Sequence, residues 1–219
     1  PIHRYTIAAF GTDTDLQLRH RRWCRELVDH PDRIVLEHDA DIRLAIGRCV
    51  DDPSCATQLT IRLTHALVEN QRHHRAAELL DAVLDNTELM ATIAPDDHVE
   101  LLRLAAIVAL ESGGSRPAER FLDAADALAP TTRSPAKATT RLMSLRASLL
   151  HNAGDASRAL DLTMRTVEAA REIGDDFNVL QSSHDAATML QDTGRFAEAD
   201  LHAASVIGRC DHALQWLAD

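Results

Sequence analysis

The chain has 219 residues, of which 45% are hydrophobic and only 3% aromatic, and its formal net charge is −11 at pH 7. A core of Leu, Ala, Ile and Val favours closely packed helices over sheets, because strands draw on aromatic and β-branched residues. No apolar run reaches the roughly 18 residues of a membrane span, and no apolar leader opens the chain. We therefore expect a cytoplasmic protein with reduced cysteines and, since an initiator methionine is missing, a piece of a longer polypeptide.

The charge is distributed unevenly along the chain. Residues 1–50 hold eight arginines and eight acidic residues, whereas residues 51–219 hold 15 basic and 26 acidic residues, which accounts for the whole −11. An acidic body argues against binding to a phosphate backbone. The basic run "RHRRWCR" (19–25) is interpreted as a solvated helix face, so no direct nucleic-acid binding is expected.

Two helices are predicted before residue 51. The first runs through "DLQLRHRRWCRELVDH" (15–30), and Pro31 opens the second, "PDRIVLEHDADIRLAIGRCV" (31–50), with proline in its first turn as helices prefer. The buried stripe of the second helix is predicted at Ile42, Ile46, Cys49 and Val50. Residues 1–50 are thus predicted to form an N-terminal helical pair, a cap or docking element.

A spacing recurs from residue 51 onwards. Gly113, Gly154 and Gly194 each stand five residues before an alanine, and Gln71 takes the glycine position in the first unit. The alanines, at 76, 118, 159 and 199, are 42, 41 and 40 residues apart. Apolar residues at helical spacing flank each turn, and glycine suits the left-handed residue that ends a helix. Each unit is therefore predicted to be a helix–turn–helix hairpin.

Such hairpins bury their apolar stripes only by stacking on their neighbours. The prediction is an all-α fold, a right-handed α-solenoid in which residues 51–219 form four hairpins stacked as one unit with the N-terminal pair. Breakers at "DDPS" (51–54), "ATIAPDD" (91–97), "APTTRSP" (129–135) and "IGDD" (173–176) separate the units. The paired aspartates in three of these loops are interpreted as N-caps and helix-dipole partners.

The repeat resembles the tetratricopeptide pattern, most clearly at Ala118, Leu122, Ala125 and Pro130. The N-terminal stretch is similar to the segment that opens the helical sensor region of STAND-type signal-transduction ATPases, which include LuxR-like and antibiotic-regulatory transcription factors. The residues that match that segment are Leu36, Glu37, Asp41, Ile42, Arg43, Ala45 and Ile46, with Asp41 in place of the family's asparagine. The resemblance implies a sensor arm that makes intramolecular contacts with an ATPase domain outside this chain.

The sequence shows no motif of known chemistry: GxxxxGK, GxGxxG, GxSxG and HExxH are all missing. The twelve histidines show no repeated ligand spacing, so no catalytic residue, metal ligand or cofactor is predicted. By analogy with tetratricopeptide arrays, polar residues on the first helix of each hairpin are predicted to line a concave binding groove. These are Arg103, Arg141, Ser148, His151, Asn152, Gln181, His184, Thr188, Gln191 and Asp192.

The predicted function is that of a non-enzymatic sensor module of a larger STAND-type transcriptional regulator. Its partner would be a protein, a peptide or a small-molecule inducer in the groove, with Arg103 and Arg141 able to clamp a carboxylate. One alternative is a stand-alone tetratricopeptide scaffold or peptide-pheromone receptor. A second alternative, of another class, is an enzyme built on a helical toroid.

Overall fold

The computed structural model describes residues 14–49 and 51–204, and the chain divides into two compact units between Ser112 and Gly113. The helices of the first unit are α1 (Thr14–Leu27), α2 (Asp32–Glu37), α3 (Asp39–Arg48), α4 (Pro53–Glu69), α5 (His73–Leu84), α6 (Thr87–Met90) and α7 (Pro95–Glu111). The second unit holds α8 (Ser115–Leu128), a 3-10 turn (Ala129–Thr131), α9 (Pro135–Asn152), α10 (Ala156–Glu172) and α11 (Asp176–Asp192). Residues 196–204 are also helical, and the described residues contain no strand.

The predicted helix over 31–50 is wrong in one respect, because the structure breaks it at His38. This residue leaves the helical conformation, with φ −109° and ψ 18°, and separates α2 from α3. The break places Asp39 at the start of α3, where its side chain is only 3% exposed and bonds to Arg43 and Arg75. A buried carboxylate requires such partners, and Arg75 on α5 can be foreseen only from the fold. Val50 of the predicted stripe lies outside the described residues.

The four turn positions share one backbone conformation. Gly113, Gly154 and Gly194 have φ values of 76°, 84° and 74°, and Gln71 has a φ of 59° without being glycine. In the turns at Gln71 and Gly154 the next N–H returns to the preceding helix, from Arg72 to the Leu67 carbonyl and from Asp155 to the Leu150 carbonyl. These bonds form the left-handed helix ends that the spacing predicts.

The repeat alanines are all buried. Ala76, Ala118 and Ala159 are 0% exposed and Ala199 is 1% exposed. Ala159 on α10 packs with Ala147 on α9 and Met189 on α11, so α10 is a shared buried partner of both neighbours. In the first unit α4 packs against α5 in the same way, with Leu59, Leu63 and Leu67 of α4 fully buried.

The aspartates of the breakers serve the helix ends as predicted. The side chain of Asp52 accepts from the Cys55 N–H at the start of α4, and Asp175 accepts from the Asn178 N–H at the start of α11. Asp96 and Asp97 lie in the first turn of α7, where a negative charge is favourable. The loop before α7 also contains α6, which was not predicted.

Candidate functional site

Nine of the ten predicted groove residues lie on two helices of the second unit. The buried residues of α11 cover two adjoining rows of its surface, and α9 turns Leu142 and Ala147 into the core. The nine predicted residues lie on the sides of α9 and α11 that do not face the core. We call these residues the α9–α11 face: Arg141, Ser148, His151, Asn152, Gln181, His184, Thr188, Gln191 and Asp192.

One contact on this face joins the two helices directly. His151 Nε2 at the end of α9 lies 3.2 Å from Asp192 Oδ2 at the end of α11, with side chains 29% and 55% exposed. The other ring nitrogen of His151, Nδ1, is buried and has no hydrogen-bond partner in the described structure. A buried polar atom without a partner is costly. Because Nδ1 is buried, a ligand can hydrogen-bond to it and remove this penalty only if the partly exposed His151 ring turns Nδ1 towards the surface.

The middle of α11 adds a carboxylate that sequence reasoning missed. Gln181 Nε2 donates to Asp185 Oδ1 at 3.2 Å, and burial raises the pKa of Asp185. Asp185 lies four residues after Gln181, a spacing that places two residues on the same face of a helix, and this spacing could have identified it from the sequence. The hydroxyl of Thr188 donates to the His184 carbonyl of its own helix at 3.2 Å, and Ser148 bonds to the Ser144 carbonyl in the same manner.

Arg141 lies at the other end of this face, near the start of α11. Asp175 is buried, which opposes its ionisation, but hydrogen bonds from Asn178 and the charges of Lys137 and Arg141 lower its pKa. Lys137 Nζ is 3.6 Å from Asp175 Oδ2. The face thus has a cationic end at Lys137 and Arg141 and an end at His151 and Asp192 that carries a carboxylate.

Arg103 lies apart from these residues in sequence, on α7 of the first unit, and the structure gives it an internal partner. Its Nε and a terminal nitrogen donate to the two carboxylate oxygens of Glu100 at 2.8 and 2.7 Å. Burial opposes the ionisation of Glu100, but the bonds from Arg103 and from His65, 3.6 Å away, lower its pKa to about 2. A ligand carboxylate at Arg103 would have to compete with this bidentate pair.

A cavity of about 780 Å³ lies between α1 and α4 and was not predicted. Arg21, Arg22 and Arg25 of the basic run line it, together with Arg62 of α4. Arg21 is not a solvated side chain, since it is 11% exposed and forms an ion pair with Asp51. Arg62 donates to the Val28 and His30 carbonyls and pairs with Asp32.

A second cavity of about 400 Å³ lies among α3, α4, α5 and α6. Its wall includes Ile46, Leu79, Val83 and Leu89. Across residues 14–49 and 51–204, no group of three or more His, Cys, Asp or Glu side chains is placed to hold a metal ion. None of the helices in these same ranges has the length and apolar character to cross a membrane.

No family model matches the sequence, and no curated protein matches it. Solved structures do resemble it. PlcR of Bacillus thuringiensis, in complex with the peptide PapR7 and DNA, aligns with a TM-score of 0.60 at 11% identity, over 99% of this chain and 79% of that chain. Two structures of a kinesin light chain protein with nearly identical TPR-like repeats, from Podosopora anserina, align with TM-scores of 0.59 and 0.57. Their identities are 15% and 16%, over 90% and 87% of this chain and 95% and 92% of theirs.

The fold is tetratricopeptide-like. The helical content of the described residues and these neighbours together confirm the predicted all-α solenoid class. Identities this low establish the fold alone. The α9–α11 face therefore has to support a functional proposal through its own geometry.

Proposed function

We propose that this chain is a non-enzymatic binding module that recognises a peptide, a protein segment or a small-molecule inducer on the α9–α11 face. The observation that carries the proposal is the His151–Asp192 contact, which joins α9 to α11 through Nε2, on a ring whose other nitrogen, Nδ1, is buried and has no hydrogen-bond partner. The structural likeness to PlcR, whose structure contains the peptide PapR7, supports a peptide as the first ligand class to test. The charges of the face suit an extended segment with an acidic group toward Arg141 and donors toward Asp192.

The test is selection from a displayed peptide library, followed by affinity measurements on purified variants. His151→Ala and Gln181→Ala are expected to weaken binding of the selected peptides about tenfold or more, as truncation of a residue that contacts the ligand directly can do. Arg165→Ala is the matched control, because Arg165 is exposed on α10 and outside the face. Peptides that bind both face variants as tightly as the unmodified protein would place the site elsewhere.

We further propose that the chain is the cytoplasmic sensor arm of a STAND-type transcriptional regulator. The support is the resemblance of the segment that now forms α2 and α3 to the opening of that family's helical region. Ligand binding would act by favouring one arrangement of the arm over another, and thereby change its contacts with an ATPase domain. The gene upstream of Pro1 is expected to encode a GxxxxGK phosphate loop.

One observation favours a second candidate, a free-standing peptide receptor. The alignment with PlcR, which was solved with the peptide PapR7, spans 99% of this chain and 79% of that chain. The two candidates differ in their parent polypeptides. A gene that encodes no upstream phosphate loop would favour the receptor.

A further inference from the structure

Two buried thiols of the first unit lie in contact. The Sγ atom of Cys49 is 3.3 Å from the Sγ atom of Cys55, and both residues are 2% exposed and unbridged. Cys49 ends α3, where its backbone has left the helix, and Cys55 lies in the first turn of α4. A disulfide requires an Sγ–Sγ separation of about 2.05 Å. The two sulfur atoms thus need to move about 1.3 Å closer to form the bond.

Both thiols border space that a small reagent can enter. Cys55 forms part of the wall of the 780 Å³ cavity between α1 and α4, and Cys49 forms part of the wall of the 400 Å³ cavity. Arg21, which also lines the larger cavity, hydrogen-bonds to the Cys49 sulfur. Burial and the neighbouring Cys55 raise the pKa of Cys49 to about 12, and Arg21 opposes that rise only in part. The thiolate that attacks a disulfide is therefore a minor form of Cys49 at neutral pH, and the proposal rests on the closeness of the two sulfur atoms and their access to the cavities.

We propose that Cys49 and Cys55 form a redox-active dithiol that a low-molecular-weight disulfide converts into an intramolecular disulfide. The Cys55 thiolate attacks one sulfur of the reagent and forms a mixed disulfide with it. The S–S bond of the reagent breaks, and its other half leaves as a thiolate that takes up the proton lost by Cys55. The Cys49 thiolate then attacks the Cys55 sulfur, forms the Cys49–Cys55 bond and releases the second thiol. The protein loses two hydrogen atoms and the reagent gains them.

The third buried thiol of the described chain, Cys24, has different surroundings. Its Sγ lies 3.7 Å from His20 Nε2 and 3.7 Å from the Asp41 carbonyl oxygen. Burial raises the pKa of Cys24 to about 12, as it does that of Cys49, so the difference lies in geometry: among the described residues no sulfur atom is within hydrogen-bond distance of Cys24. Cys24 is therefore the matched control thiol.

The experiment treats the folded chain with oxidised glutathione, blocks the remaining thiols with iodoacetamide under denaturing conditions and digests the product with trypsin. Cleavage after Arg48 and Arg62 leaves both cysteines in one peptide, "CVDDPSCATQLTIR" (49–62). We expect this peptide to lose two hydrogens and to carry neither an alkyl group nor a glutathione, while the Cys24 peptide is alkylated. The oxidised protein is expected to melt about 5 °C or more above the reduced form, because a closed loop restricts the unfolded chain.

Two variants keep the proposal falsifiable if the parent chain resists oxidation for other reasons. Cys24→Ser is expected to oxidise as the parent does, and Cys49→Ser is expected to stop at the mixed disulfide on Cys55. Three outcomes would overturn the proposal. They are full alkylation of the 49–62 peptide after oxidation, a mixed disulfide on Cys55 that persists in the parent chain, and a cross-link between Cys24 and the 49–62 peptide.

Discussion

At the scale of single residues, the turn at Gln71 departs from the other three hairpin turns. Its φ of 59° lies in the left-handed region, where the other turn positions have glycine. A side chain there costs about 1 kcal/mol relative to glycine, because Cβ crowds the backbone. The small compensation visible in the structure is a contact between Gln71 Oε1 and His73 Nε2 at 3.3 Å on an exposed surface.

The first prediction is that Gln71→Gly stabilises the protein. The expected gain in the free energy of unfolding is about 0.5–1 kcal/mol, since relief of the left-handed strain exceeds the loss of an exposed hydrogen bond. Gly154→Ala, at φ 84° and with no atom within 4 Å of an added Cβ, is expected to lower it by about 1 kcal/mol. Urea denaturation followed by circular dichroism measures both changes.

Gly47 is the control for these substitutions. It lies within α3, its φ is not positive, and an added Cβ would meet nothing within 4 Å. Gly47→Ala is expected to stabilise the protein by about 0.5–1 kcal/mol through helix propensity. If Gly154→Ala stabilised the protein as Gly47→Ala does, the backbone conformation would not be what selects glycine at the turns.

At the scale of helices, buried ion pairs hold together elements that are distant in sequence. Asp39 at the start of α3 accepts from Arg43 at 2.6 Å and lies 2.6 Å from Arg75 of α5. Arg43 also donates to the Arg75 carbonyl at 2.8 Å. The carboxylate is buried, so its loss leaves two guanidinium groups without their shared acceptor.

The second prediction is that Asp39→Asn destabilises the protein by about 2 kcal/mol or more. The matched control is Glu37→Gln in α2, whose carboxylate pairs with Arg33 at 3.1 Å with side chains 89% and 56% exposed. An exposed pair of this kind is expected to contribute less than about 0.5 kcal/mol. Urea denaturation measures the free energy of unfolding of both variants. Equal losses would show that the contact of Asp39 on α3 with Arg75 on α5 stabilises the protein no more than a surface ion pair does.

The third prediction concerns acid stability and Glu100. Its pKa is lowered from 4.5 to about 2 in the folded protein, so folding favours the charged form. This stabilisation is fully present above pH 4.5 and is lost as the pH falls through about 2. A shift of this size corresponds to about 3 kcal/mol.

Glu100→Gln removes the titrating carboxyl group. The difference in stability between the variant and the parent therefore reports the contribution of Glu100 without that of the other carboxylates. The variant is expected to be less stable than the parent at pH 7, and the difference is expected to shrink as the pH falls below 4.5. Unfolding free energies measured between pH 7 and pH 2 test this. A difference that stays constant over that range would mean that the Arg103 and His65 contacts do not shift the pKa of Glu100.

At the scale of helices, the sequence predicts the hairpin turns and the buried alanines but not the contacts between distant helices. The fixed spacing of glycine and alanine predicts the turns and the buried alanines, because both follow from local backbone and packing rules. The pairing of Asp39 with Arg75 and the contact of His151 with Asp192 join residues that are 36 and 41 positions apart. Hydrophobic periodicity does not encode such pairs, so only the structure reveals them.

At the scale of the whole molecule, charge limits what the fold can bind. The chain has 34 acidic and 23 basic side chains. Its one basic run forms part of a cavity whose wall also holds Glu26, Asp29, Asp51 and Asp52. PlcR was solved with DNA, but at 11% identity the likeness establishes the fold alone. The shared fold therefore does not carry DNA binding over to this chain.

The fourth prediction is that this chain does not bind duplex DNA on its own. Non-specific binding requires lysines and arginines that neutralise phosphates and release counterions, and here Arg21 and Arg62 are already paired with Asp51 and Asp32. Fluorescence anisotropy of a labelled duplex in 50 mM salt is expected to stay unchanged up to about 100 μM protein, the weak end of non-specific dissociation constants. Binding in that range that weakens steeply with salt and disappears in Arg22→Ala/Arg25→Ala would make the α1–α4 cavity a nucleic-acid site. A signal that survives this double variant would instead place the site on residues outside the basic run.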